Sequence, residues 1–106
     1  MNQREFKDFV IDKVDDMKAR NVTVIDVTGK STVTDTLVIC SGTSKRHVSA
    51  IAENVIVECK QAQRAPLSVE GKAEGEWVLV DLGEIVLHVM QDETRDFYQL
   101  EKLWQE

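Results

Sequence analysis

The chain has 106 residues, 42% hydrophobic and 30% charged, with five glycines and one proline. That length predicts one domain that buries roughly two-thirds of its unfolded surface, and the composition excludes a disordered or low-complexity chain. A net charge of -6 and a pI near 4.9 exclude broad contact with a nucleic-acid backbone, which needs clustered Lys and Arg, and suit a basic partner.

In chain order, Phe6, Phe9, Val10, Lys13, Val14 and Met17 recur at the spacing of one helix face, the Lys13 stem being the polar exception. Asn2 is placed to cap this helix and Asn21 to stop it. β-branched runs follow, VTVIDV and DTLVICSG around a glycine-containing connection, which predicts an antiparallel hairpin. After Gly42, Thr43 or Ser44 can cap a second helix whose buried face is Val48, Ile51, Ala52, Val55, Ile56 and Cys59, ended by Ala65-Pro66. A short strand LSVEG comes next, then WVLVDL and EIVLHVM with Gly83 between them, a second hairpin. Asp92 is placed to cap a last helix in which Phe97, Leu100, Leu103 and Trp104 share a face. The expected fold is a compact α/β domain: three helices on a mixed five-stranded sheet, with one crossover connection and antiparallel hairpins.

No basic start leads into an apolar run, and no stretch reaches the ~18 apolar residues of a membrane span, so neither a signal peptide nor a membrane partner is expected. Cys40 and Cys59 are far apart and lack metal-ligand spacing. They read as buried thiols in a reducing compartment, the cytoplasm. The acids are scattered, and no metal site or cofactor is expected.

The second hairpin carries the most information. With Gly83 and Glu84 as a two-residue turn, Leu82, Val80 and Val78 face Ile85, Leu87 and Val89, an aliphatic core face. The other face pairs Asp81 with Val86, Leu79 with His88, and Trp77 with Met90. Large anchors with polar handles suit a docking patch, and a covering helix over a core histidine is the competing structural reading. As an acid–base pair, Asp81 and His88 share a face without being opposite each other, and no nucleophile is placed beside them. The Gly42–Ser44 turn offers N–H groups and hydroxyls to an anion, yet it lacks Walker spacing and reads most simply as a helix cap. His47, in the first turn of that helix, reads as a surface residue.

The runs TDTLVICSGTSKRHVSAIAENV and VEGKAEGEWVLVDLGEIVLHVMQDETRDFYQLEKLW, above all Val69-Glu70-Gly71, Trp77, Asp81-Leu82-Gly83 and His88 to Tyr98, resemble the ribosomal silencing factor (Iojap-like) family. The resemblance extends from about Phe6 to Trp104. It implies a non-enzymatic translation factor that binds the large ribosomal subunit through ribosomal protein L-fourteen, blocks joining of the small subunit, and lowers translation when nutrients are scarce. It also implies a homodimer when free, and a nucleotidyltransferase-like fold. This chain lacks the paired strand acids that hold catalytic magnesium, for Asp81 stands alone. The alternative expectation is a nucleotide-binding protein or enzyme using the Gly42–Ser44 turn. As partner contacts the resemblance implies Trp77 and Leu82. Face geometry adds Asp81 and Glu70 for basic groups, Met90 as an apolar anchor and His88 as an orienting hydrogen-bond partner.

Overall fold

The computed structural model describes residues 1–104. At the start, Asn2 Oδ1 accepts the Glu5 N–H at 2.8 Å while the Glu5 carboxylate accepts the Asn2 N–H at 3.0 Å, a reciprocal capping box. Helix α1 (Gln3–Asp16) follows and buries Phe6, Val10 and Val14, as their spacing predicts. It ends before Asn21: Lys18 turns into the left-handed region at φ 58°, and strand β1 (Arg20–Asp26) already contains Asn21.

Strand β1 pairs antiparallel with β2 (Thr36–Gly42), the first predicted hairpin. Helix α2 (Lys45–Gln61) buries the six residues its periodicity picks out, Val48 to Cys59. It stops at Gln61, with Gln63 at φ 63°, ahead of the Ala65-Pro66 pair. The remaining strands are β3 (Ser68–Glu70), β4 (Trp77–Asp81) and β5 (Ile85–Gln91), giving one sheet in the order β1-β2-β5-β4-β3. The parallel pair is β2 with β5, while the strand directly after α2 goes to the far edge. Strand β2 is buried at every position, as a central strand covered on both faces must be.

One face of the sheet carries Val38, Cys40, Val78, Val80, Ile85, Leu87 and Val89 against α1 and α2. The other carries Ile25, Leu37, Ile39 and Met90, with Leu100 and Trp104 packed over them. The last segment departs from expectation. Helix α3 (Asp92–Tyr98) has Gln91 rather than Asp92 at its N-cap, and no side chain caps it. Gln99 then turns left-handed at φ 48°, and a 3-10 turn spans Leu100–Leu103. This break divides the predicted face: Phe97 and Leu103 point outwards, 80% and 74% exposed, while Leu100 and Trp104 turn to the sheet. Arg95 holds the segment down. Its guanidinium donates to Asn21 O at 2.7 Å, Ser41 Oγ at 2.9 Å and Thr23 Oγ1 at 3.0 Å, and pairs with Glu101.

Among the described residues no helix is long and apolar enough to cross a membrane. Cys40 and Cys59 are free and buried, and burial pushes their thiols up to about 12 and about 11.

Candidate functional site

The β4–β5 hairpin closes as its sequence predicts. Leu82 N–H donates to Ile85 O at 2.8 Å across the two-residue loop. Gly83 takes φ 89° at the first loop position, a conformation in which a Cβ is strained. Asp81 Oδ1 accepts the Gly83 N–H at 2.9 Å, so this carboxylate steadies the turn. The register is Trp77 with Met90, Leu79 with His88, and Asp81 with Val86. Strand β3 extends the same face, placing Glu70 opposite Leu79 and Ser68 opposite Asp81.

Trp77, Leu79, Asp81 and Val86 are half-buried on this face, and Glu70 is exposed at its edge. The other three expected contacts lie deeper. Met90 is 0% exposed beneath the C-terminal segment, so it has no surface to offer a partner in this conformation. Leu82 is 9% exposed and belongs to the core under α1 and α2. His88 is 7% exposed; burial pushes its imidazole down to about 4. Its Nδ1 accepts the Trp77 indole N–H at 2.9 Å. Asp81 and His88 are therefore each engaged with a different neighbour, which is no arrangement for general acid–base work.

Sequence reasoning missed the aromatic neighbours of Trp77. Tyr98 lies with its ring centroid 4.9 Å from that of Trp77, and Phe97 stands edge-on to Tyr98 at 5.0 Å. The left-handed break after Tyr98 separates Phe97 from the face it was expected to share with Leu100, Leu103 and Trp104. The sequence carries no glycine at Gln99 to mark the break.

Gly71 explains the Val69-Glu70-Gly71 signature. A Cβ there would sit 2.1 Å from the carbonyl oxygen of Trp77, and its φ is 83°. Glycine lets the β3–β4 connection lie directly on the backbone of Trp77.

At the Gly42–Ser44 turn the Thr43 N–H and both hydroxyls are already engaged. Ser44 Oγ accepts His47 N–H at 3.0 Å, the cap predicted. His47 Nδ1 accepts Thr43 N–H at 2.9 Å, and its Nε2 lies 2.8 Å from Met17 O. A carbonyl only accepts, so Nε2 carries the proton and His47 joins α1 to the turn. His47 is a half-buried tie, where a surface residue was expected. Gly42 is required by α2, since a Cβ would stand 2.8 Å from Val48 Cγ2 and 2.9 Å from Val48 N. Among the described residues no three His, Cys, Asp or Glu side chains gather as a metal cluster.

The site is thus one face of a mixed sheet on which part-buried Trp77 lies with the carboxylates of Asp81 and Glu70. The family model described as "Ribosomal silencing factor during starvation" matches residues 2–106. The chain is 46% identical over 97 residues to the "Ribosomal silencing factor RsfS" of Haemophilus influenzae, covering 92% of this chain and 95% of that one. It is 38% identical over 100 residues to the mouse "Mitochondrial assembly of ribosomal large subunit protein 1", covering 92% of this chain and 44% of that one. A crystal structure of a Chromobacterium violaceum protein superposes with a TM-score of 0.96 at 34% identity, covering 100% of this chain and 90% of that one. The chain belongs to the ribosomal silencing factor family.

Proposed function

We propose that the chain silences ribosomes by occupying space. It docks on the large ribosomal subunit through ribosomal protein L-fourteen and keeps the small subunit from joining, which lowers translation under nutrient limitation. It works in the cytoplasm and forms a homodimer when free. No bond is made or broken and no cofactor is needed. Trp77 is the apolar anchor, and Asp81 and Glu70 meet basic groups of the partner. His88 and Met90 support this face from beneath, and Leu82 anchors the hairpin from the opposite, core-facing side.

The observation that carries the reading is the half-buried Trp77 on a strand face that also bears Asp81 and Glu70, in a chain of this family. The name of the mouse relative, which refers to the large subunit, supports that subunit as partner. A patch of about 800 Å² per side is typical of a stable complex, with a few residues carrying most of its affinity.

Co-sedimentation tests the reading: the protein is expected to pellet with isolated large subunits and not with small subunits or joined ribosomes. Trp77→Ala should weaken binding by about 2 kcal/mol, or roughly thirtyfold. Folded Trp77→Ala with wild-type affinity would remove Trp77 from the contact.

A further inference from the structure

We infer that His88 is a positioning residue: with Tyr98, it holds the indole of Trp77 in the free protein in the orientation that the partner meets. The inference rests on the docking role proposed for Trp77, and it assigns His88 to the interior of the site, behind the contact surface.

Trp77 pairs with Met90, so His88, two residues back along β5, is its diagonal neighbour, within reach of an aromatic side chain. The Trp77 indole N–H is a donor only, and His88 Nδ1 accepts it at 2.9 Å. Nδ1 must then offer its lone pair, and the imidazole proton sits on Nε2. The two rings lie 5.9 Å apart, tilted by 49°. Tyr98 flanks the indole at 4.9 Å, tilted by 51°. One fixed point thus belongs to β5 and the other to α3, and both elements are tied to central strand β2: β5 by its parallel ladder, α3 by Arg95 to Ser41.

An unrestrained indole on a strand would sample several rotamers and lose that freedom on docking. One held beforehand loses less, which tightens binding without adding a contact. A hydrogen bond that merely satisfied a buried indole would affect stability, and the affinity of the folded molecules would stay unchanged.

His88→Leu removes the acceptor, whereas His88→Asn puts an amide oxygen near the place of Nδ1. Two quantities are measured on each: affinity for isolated large subunits, corrected for folded fraction, and the indole N–H resonance and proton exchange of Trp77. That resonance is assigned by its loss in Trp77→Phe. In H88L the indole proton should exchange faster and affinity should fall about tenfold; H88N should recover most of both. Wild-type affinity in folded H88L, or an indole signal unchanged from wild type, overturns the inference. If H88L does not fold, Tyr98→Ala at an exposed position opens the other flank, and the same two changes are expected and must occur together. If the wild-type protein does not bind large subunits at all, the docking reading fails by itself, and the indole measurements still report whether His88 fixes Trp77.

Discussion

His47 and His88 each give the Nδ1 lone pair to an N–H donor, yet they sit in different surroundings. His88 is enclosed by the sheet face, and burial holds its imidazole at about 4 against an ordinary 6.5. Between those values the unfolded chain binds a proton that the folded chain does not. Stability on this account is therefore complete above pH 6.5 and lost as pH falls towards 4, by about 3 kcal/mol in all. His88→Gln should flatten that part of the stability–pH curve by about one proton, measured by urea unfolding across the range. A curve parallel to wild type would show that His88 is accessible to protons when folded. Asp81 has two duties at this scale, since it steadies the hairpin turn and adds charge to the rim. Asp81→Asn keeps an oxygen for the Gly83 N–H and removes the charge. It should weaken large-subunit binding at low salt and approach wild type at high salt, where the charge is screened; an unchanged salt profile would separate Asp81 from the partner. Face membership of Asp81 and His88 was legible in the alternation of the strands. The long-range hydrogen bonds of His47 and Arg95 were not, because Met17 O for His47, and Thr23 and Ser41 for Arg95, come from distant parts of the chain.

At the scale of elements, the two long helices and both hairpins follow from periodicity and turn residues alone. For α1 and α2 the apolar spacing coincides with the face that meets the sheet. The β4–β5 register follows because a one-residue slip would put Val78, Val80 and Leu87 on the part-open face. In the C-terminal segment a helix from Asp92 was legible, and its early end at Tyr98 was not. Seven residues make a poor helix by themselves, and its position depends on Arg95 reaching across to β1 and β2. Arg95→Ala should lower stability by about 2 kcal/mol through unpaired partners, read from the urea midpoint. It should also loosen Tyr98 from Trp77. Gly71→Ala acts from the opposite side: its methyl group would collide with the Trp77 carbonyl. A cost of about 2 kcal/mol is expected, together with weaker docking, because the β4 backbone beneath the anchor must shift. Normal stability in that variant would mean that the connection relaxes freely.

For the whole molecule, a net charge of -6 and an aromatic patch on the sheet fit the proposed docking, in which that patch meets the partner and the acidic remainder repels phosphate. Charge and composition made the acidic character plain from the start, and the resemblance gave the family. The closed state of the Gly42–Ser44 turn needed coordinates, since a cap and an anion cradle share the same residues. Adding nucleotide and magnesium should leave the melting temperature unchanged, whereas a ligand bound at this turn would raise it by mass action. The centre of the sheet has a further consequence. Strands β2 and β5 come from opposite halves of the chain and lie side by side, so a growing polypeptide has no finished sheet until its late portion arrives. Until then β2 presents a bare hydrogen-bonding edge of nearly unbroken hydrophobic character, the kind that sticks to other chains. Synthesis that stalls before Ile85 would leave that edge uncovered, and fragments ending there should collect as aggregates.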